Sequence, residues 1–182
     1  MYNRIYVDFT ESWWMMEINK RKIMGITILS MNNASIYLDE KFKSAKPDDP
    51  KYDSSLVISA SVLRAITCEL CIKAILDNQG LNIKENKYQI HKLDKLFKYV
   101  KLDTQNIIIK ETQKLFDKNL KKYSKKHLYI DFWKELKEIS NIFVKMRHFY
   151  EIQLCGNDNI LFNYGFLISL QEALCEYIAP II

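Results

Sequence analysis

The stretch LVISASVLRAITCELCIKAIL, residues 56–76, decides the fold, because its apolar residues fall almost all around a helix. A helix that is apolar on nearly every side needs other elements to cover it. Asp53 or Ser54 can cap its start, and Asn78 with Gly80 supplies a left-handed exit at its end. We therefore predict a central helix that neighbouring helices surround.

The segments that follow have helical patterns of their own. Residues 91–100 bring four apolar side chains to one helical face, Thr104 can cap a helix that reaches about Tyr123, and Asp131 can cap another. A last helix is expected to end at Pro180. The apolar positions are Leu93, Leu96, Phe97 and Val100 in the short segment, and Phe132, Leu136, Ile139, Phe143 and Tyr150 after Asp131.

The N-terminal part is predicted to contain a helix of its own and then a linker. Asp8 and Glu11 form a capping box, and Gly25 can break or bend the helix that they open before a second stretch from Ile28 to Phe42. Pro47 and Pro50 in the polar run 44–53 stop any helix. We expect residues 1–45 to pack on or extend a bundle formed by residues 54–182, as a single domain overall.

Composition agrees with an all-α fold. Only 4 Gly and 3 Pro interrupt 182 residues that are 48% hydrophobic, which disfavours disordered chains and loop-rich β folds. Short connections favour antiparallel neighbours in such folds. The fold class that follows is an all-α, antiparallel bundle of about five to seven helices.

Charge and cysteine content limit the setting. A net charge of +5, carried mostly by lysine, permits an acidic partner without requiring one. Charged residues near the N-terminus argue against a signal peptide, and the longest uncharged run is too short and polar to cross a membrane. Cys68 and Cys71 form a C-x-x-C inside a helix, without a second pair. We expect a reducing cytoplasm, no membrane, no metal and no cofactor.

Arg147 is the most informative residue, because helical spacing from Phe143 to Tyr150 puts it on the stripe that the core should bury. A buried guanidinium needs a carboxylate, a water-filled cleft or an anionic ligand. Glu151 is close enough to pair locally. A structural ion pair, or an Arg at the edge of the core, is the simpler interpretation of the pattern.

Glu69 and Lys73 interrupt the apolar central helix at i, i+4 spacing. A local salt bridge is sufficient to explain them, and the alternative is that Glu69 reaches Arg147 or His91. His91 precedes the short helix, where the helix dipole disfavours imidazolium, so we expect a neutral hydrogen-bonding cap. A separate basic stripe could follow a phosphate backbone, although a solvated face is the simpler interpretation. Its members are Lys110, Lys114, Lys118, Lys121 and Lys125.

Three motifs in this order resemble the HEPN superfamily of helical domains, over about residues 54–178. They are the helix segment ELCIKAIL, the H-x-L-x-x-L of His91 to Leu96, and the helix end FVKMRHFYE. The resemblance implies a HEPN-like bundle, a bacterial defence or toxin context, and binding of nucleotides or RNA, commonly as a homodimer. It also implies that Arg147 and His148 match the first two positions of the ribonuclease motif of that family.

In such a site Arg would hold the scissile phosphate and His would move a proton, without a metal. The closing His is missing, because Ile152, Gln153, Leu154 and Cys155 stand where it is expected. The first hypothesis is a non-catalytic module that binds RNA, a nucleotide or a partner protein. The alternatives are a metal-independent ribonuclease toxin, which uses Arg147 with His148 or another His, and a purely structural dimer. The expected ligand-binding residues are Glu69, Lys73, His91, Arg147, His148, Tyr150 and Glu151.

Overall fold

Six helices lie in the part of the chain that the computed structural model describes, which is residues 13–44, 55–83, 85, 90–120, 130–146 and 162–182. Within these ranges there is no strand. The predicted all-α bundle of five to seven helices is therefore confirmed. In chain order the helices are α1 (Trp13–Ser44), α2 (Ser55–Asn78), α3 (Leu93–Phe97), α4 (Leu102–Leu120), α5 (Phe132–Met146) and α6 (Tyr164–Ile178).

The central position of α2 is also confirmed, because α2 packs against α1, α3, α5 and α6. Cys68, Ile72 and Leu76 are completely buried along it. The helix ends as the sequence predicts, since Gly80 has φ +79°. The Leu81 N–H donates to the Leu76 carbonyl oxygen at 3.0 Å, which closes a Schellman motif around Gly80.

α1 and α2 are antiparallel, as contacts at both ends of the pair show. Near the start of α1, Lys20 Nζ lies 2.9 Å from Asp77 Oδ1 at the end of α2. Toward the end of α1, Asp39 forms an ion pair with Arg64 in the first half of α2. The short connection between consecutive helices therefore has its expected effect.

α6 runs parallel to α2 and antiparallel to α1. Along α2 and α6, Arg64 contacts Gln171 and Cys71 contacts Cys175, so the residue numbers rise together. Ser35 of α1 contacts Gln171, whereas the earlier Asn32 contacts Cys175, so the numbers run in opposite directions. The bundle thus mixes antiparallel neighbours with one parallel pair that is distant in sequence.

A cluster of aromatic side chains connects α3, α5 and α6 in the core. The ring centroids of Phe97 and Phe132 are 5.4 Å apart, and Phe132 meets Phe166 edge-on at 5.5 Å. Trp133 packs against Phe97 at 5.8 Å while 39% of its surface remains exposed. The predicted apolar face of residues 91–100 is buried here, since Leu93, Leu96, Phe97 and Val100 are all at most 3% exposed.

Gly25 does not break the N-terminal helix, because α1 continues through it from Trp13 to Ser44. A Cβ atom at position 25 would lie 3.3 Å from Cβ and Cδ1 of Ile182. The glycine therefore permits close approach of the C-terminal residue. Its helical backbone also shows that tertiary contacts outweigh the low helix propensity of a single glycine.

The predicted cap at Thr104 is wrong, whereas the cap at Asp131 is confirmed. α4 begins at Leu102, and the Thr104 hydroxyl lies 3.1 Å from the Tyr177 hydroxyl on α6. Asp131 Oδ1 accepts a hydrogen bond of 3.1 Å from the Lys134 N–H. The capping box of Asp8 and Glu11, the prolines of the linker, the caps at residues 53–54 and Tyr150 lie outside the described residues.

Candidate functional site

Glu69, Lys73 and His91 form one polar cluster, which we call the Glu69 cluster. Glu69 Oε1 lies 2.8 Å from Lys73 Nζ and 2.9 Å from His91 Nδ1. The Glu69 side chain is 7% exposed and that of Lys73 is 15% exposed, whereas the imidazole is 50% exposed. The cluster therefore has an inner carboxylate and an outer edge at His91 that solvent reaches.

Two parts of the chain contribute to the cluster, namely α2 and the segment that precedes α3. Glu69 and Lys73 are one turn apart on α2, in the favourable order for a helical ion pair. His91 comes from the segment before α3, and the buried Leu93 holds that segment against the core. The Asp94 N–H also donates to Ser140 Oγ of α5 at 2.8 Å. Packing of α3 thus positions the imidazole over Glu69.

The expected role of His91 as a helix cap is wrong. Lys92 occupies the N-cap position of α3, and no side chain there caps the helix. His91 Nδ1 instead lies 2.9 Å from Glu69 Oε1, and the carboxylate oxygen can accept a hydrogen bond from an Nδ1–H group. The contact confirms the alternative that Glu69 reaches His91, 22 residues away along the chain, and the local pair of Glu69 with Lys73 forms beside it.

The second half of the predicted ligand site lies outside the described residues, namely Arg147, His148, Tyr150 and Glu151. The structure describes the backbone of Phe143 in α5 but not its side chain. α5 ends at Met146, the residue before Arg147. α2 and α3 both pack against α5. The described part of the predicted ligand site is therefore the Glu69 cluster.

The predicted basic stripe is described at three of its five positions. Lys110, Lys114 and Lys118 are exposed on α4, whereas Lys121 and Lys125 lie outside the described residues. Lys114 Nζ is 2.7 Å from Glu111 Oε1, and this hydrogen bond raises the pKa of Lys114. A neighbouring acid thus offsets part of the positive charge.

A cleft of about 440 Å³ lies beside this stripe, between α4 and the start of α5. Trp133 and Ile109 supply apolar surface, and Lys110 and Lys114 supply positive charge. Asp117 and Asp131 line the same cleft, so its formal charge balances. This balance gives the cleft no clear preference for a polyanion.

Sequence reasoning missed a buried polar network around Arg64, which is 4% exposed. The guanidinium donates to Asp39 and Gln171, and its Nε lies 3.4 Å from the Tyr164 hydroxyl. The Tyr164 hydroxyl donates to Asp39, and Gln171 Nε2 donates to Ser35 Oγ at 3.3 Å. The network joins α1, α2 and α6. The available signal was that Arg64 interrupts the same apolar run as Glu69.

Electrostatics agree with an ion pair held inside the bundle. Burial alone would lower the pKa of Arg64, but the hydrogen bonds that its guanidinium donates to Asp39 and Tyr164, together with the charge of Asp39, outweigh burial and raise the pKa. Burial raises the pKa of Tyr164, and its hydrogen bond to Asp39 adds to the effect. Arg64 is therefore charged and Tyr164 is neutral in the folded protein near neutral pH. The arrangement satisfies a buried charge, as stability requires.

The C-x-x-C cysteines are buried in the core, and Cys68, Cys71 and Cys175 are free thiols. Burial raises the pKa of the Cys68 thiol well above its usual value. No group of three or more metal-ligating side chains occurs among the described residues. Within the same ranges, no helix has the length and apolar character needed to span a bilayer.

α1 exposes a row of large apolar side chains on the surface that faces away from α2. Ile23, Ile26 and Leu29 are each more than half exposed, and Tyr37 is 57% exposed. Ile36 extends the same row. We call this surface the outer α1 face. Because apolar patches of this kind occur at protein interfaces, it bears on the expected partner or dimer.

No family model, no curated protein and no solved structure matches this chain. The resemblance to the HEPN superfamily therefore rests on the three sequence motifs alone, and the functional argument rests on the residues of this chain.

Proposed function

We propose that this protein is a non-catalytic, HEPN-like module that binds RNA. The Glu69 cluster would contact the phosphate groups of the RNA. The observation that carries the proposal is the pairing of one buried carboxylate with two cationic or proton-donating groups, Lys73 and His91. Such a carboxylate holds both groups in fixed positions. Preorganised donors bind an anion with less loss of conformational freedom than free surface side chains.

The polarity of the cluster supports an anionic ligand. His91 forms the outer edge of the cluster, and its half-exposed imidazole is accessible to a phosphate, with the more buried Lys73 behind it. The resemblance adds Arg147, which follows the last described residue of α5 and would supply a bidentate phosphate contact. Binding is favoured over cleavage because the closing His of the ribonuclease motif is replaced by Ile152, Gln153, Leu154 and Cys155.

Glu69→Gln is the sharpest test, because the two explanations of RNA binding predict opposite results. If only net charge matters, removal of a negative charge strengthens binding of mixed RNA. If Glu69 positions Lys73 and His91, the variant binds mixed RNA more weakly than the wild type. Glu111→Gln is the matched control, since Glu111 pairs with the exposed Lys114 outside the cluster. Fluorescence anisotropy with chelator present measures both, after circular dichroism has verified folding. Equal or stronger binding by Glu69→Gln would contradict the proposal.

Salt dependence separates specific phosphate contacts from general attraction. Lys73→Ala and Arg147→Ala should each weaken binding and reduce the salt slope of the binding constant by about 1. Lys22→Ala, at an exposed position on α1, should change neither quantity appreciably. If the wild type cleaves RNA and Arg147→Ala or His148→Ala abolishes the cleavage, the result would favour the ribonuclease alternative, in which these two residues are catalytic.

A second candidate function is binding of a protein partner or a second copy of the chain, which the outer α1 face favours. Leu29 and Ile26 are 60% and 55% exposed, and charged residues are rare at the centre of protein interfaces. Leu29→Glu should convert a dimer to a monomer in light scattering after gel filtration, whereas Lys22→Glu should not. A monomeric wild type would exclude the purely structural dimer.

A further inference from the structure

Three cysteines from two helices meet in the core, and the first two have already been noted as a C-x-x-C. Cys71 Sγ of α2 lies 4.0 Å from Cys175 Sγ of α6. Cys68 is one turn from Cys71 on the same helix. A disulfide places its sulfurs about 2.05 Å apart, so the Cys71 and Cys175 sulfurs must approach by about 2 Å more to bond.

The two close thiols are chemically unequal. Cys71 is completely buried, whereas Cys175 is partly exposed. The hydrogen bond between the two sulfurs lowers the pKa of Cys175, and the charge of Arg64 lowers this pKa further against the opposing effect of burial. The same hydrogen bond and burial raise the pKa of Cys71. Cys175 is therefore both the more accessible and the more acidic thiol.

We propose that Cys175 is a peroxide-sensitive thiol and that Cys71 resolves its oxidised form into an intramolecular Cys71–Cys175 disulfide. The oxidant is hydrogen peroxide or an organic hydroperoxide. The geometry carries the proposal, because the partner thiol is already in contact with the sulfur that would be oxidised. This modification site lies between α2 and α6 and is independent of the Glu69 cluster.

The chemistry has two balanced steps. The Cys175 thiolate attacks one oxygen of hydrogen peroxide, the O–O bond breaks, and the released hydroxide takes a proton to become water. The Cys71 sulfur then attacks the sulfur of the Cys175 sulfenic acid. An S–S bond forms, the S–O bond breaks, and the leaving hydroxide departs as water with the proton of Cys71. Two thiols lose two electrons and two protons, and one peroxide yields two waters.

The bond would have a structural consequence at α1. The Cys175 thiol lies 3.9 Å from Asn32 Oδ1, so oxidation removes the hydrogen that this amide oxygen accepts. Gln171, one turn before Cys175 on α6, belongs to the Arg64 network that also holds α1. Oxidation therefore fastens α6 to α2 while it removes one contact of α6 with α1.

Peptide mapping of the full-length wild-type chain tests the proposal directly. The protein is treated with hydrogen peroxide, its remaining thiols are alkylated, and it is digested with a protease that cleaves after glutamate. Cleavage after Glu69 separates Cys68 from Cys71, and cleavage after Glu172 separates Cys155 from Cys175. The expected product is a linked Cys71–Cys175 peptide pair, two hydrogens lighter than the free peptides, that a thiol reductant releases.

Variants then assign the roles of the two sulfurs. Cys71→Ala should abolish the disulfide and leave a Cys175 sulfenic acid that a dimedone probe labels, and Cys175→Ala should abolish both products. Cys68→Ala is the matched control, because Cys68 is equally buried on the same helix, and it should retain the Cys71–Cys175 bond. The proposal is overturned if the wild type forms no disulfide, if Cys155 replaces Cys71 in the bond, or if Cys68→Ala abolishes it.

Discussion

At the scale of single residues, the Arg64 side chain shows how the fold accepts a charge in its interior. The guanidinium has partners on two other helices, namely Asp39 on α1, and Gln171 and Tyr164 on α6. Removal of two charges from water is costly, and the ion pair repays that cost only when further hydrogen bonds satisfy the remaining atoms. The side chains of Tyr164 and Gln171 supply those bonds.

Arg64→Met should strongly destabilise the protein, because it leaves the Asp39 carboxylate buried without its cation. We expect the free energy of unfolding to fall by about 3–5 kcal/mol in urea denaturation. Replacement of both charges, in Arg64→Met with Asp39→Leu, should recover much of that loss, since no uncompensated charge remains.

Lys114→Met is the control for this experiment. It breaks an ion pair with Glu111 on the exposed surface of α4 and should leave the urea midpoint nearly unchanged. A double variant as unstable as the sum of its two single variants would show that Arg64 and Asp39 act independently, contrary to the network described above.

We expect the buried Cys68 thiol to make the protein less stable at alkaline pH. Burial raises its pKa in the folded state, whereas the thiol of the unfolded chain ionises near about 8.5. Above that pH the unfolded state loses a proton that the folded state keeps, so stability falls as pH rises. By pH 10 the loss from this group reaches about 2 kcal/mol.

The measurement compares urea unfolding at pH 7 and pH 10, under reductant, for the wild type and Cys68→Ala. The variant should lose less stability between the two pH values, because it lacks the thiol that titrates. Any effect of the substitution that does not depend on pH cancels in this difference. Parallel curves for the two proteins would rule out Cys68 as a source of the alkaline loss.

At the scale of helices, Gly25 sets how closely the chain end approaches α1. Alanine is about 1 kcal/mol more favourable than glycine in a helix, but its Cβ would lie 3.3 Å from the Ile182 side chain. We expect Gly25→Ala to stabilise the protein by about 1 kcal/mol only when Ile182→Gly has removed both contacting atoms of Ile182, Cβ and Cδ1. A urea double-mutant cycle measures the coupling, and its absence would mean that Ile182 yields freely.

The start of α4 shows where local signals mislead. Thr104 has the side chain of an N-cap, yet it lies inside the helix, and its hydroxyl contacts Tyr177 and Gln79. A threonine can satisfy either a helix end or a distant partner, and sequence spacing does not distinguish the two. Asp131, which has no such partner among the described hydrogen bonds, caps α5 as predicted.

At the scale of the whole molecule, α1 is connected to the bundle at both ends of its described length. Lys20 binds Asp77 near one end, Asp39 binds Arg64 near the other, and Ile28 between them belongs to the main core. Contacts distributed in this way favour cooperative unfolding of α1 with the remaining helices.

Tryptophan fluorescence can test this cooperativity, because Trp13 and Trp14 lie on α1 and Trp133 lies on α5. A Trp133→Phe variant reports on α1, and a Trp13→Phe, Trp14→Phe variant reports on α5. Each urea transition should coincide with the helix loss that circular dichroism records for the same variant. An earlier transition of the α1 probes alone would make residues 1–45 a separate folding unit.

The sequence alone determined that this protein is helical, that α2 is central, and that the chain leaves α2 through a left-handed Gly80. These features depend on local physics, namely the distribution of apolar residues around a helix and the positive φ that glycine tolerates. It also singled out Glu69, Lys73 and His91 as polar residues that required an explanation.

Only the tertiary structure decided which of these residues meet. His91 lies beside Glu69 because α3 packs against the core, and Arg64 finds Asp39 because α1 runs antiparallel to α2. Cys71 meets Cys175 because α6, about a hundred residues later, runs parallel to α2. Local patterns fix the conformation of a segment, but the partners of a polar side chain depend on contacts between segments that are distant in the sequence.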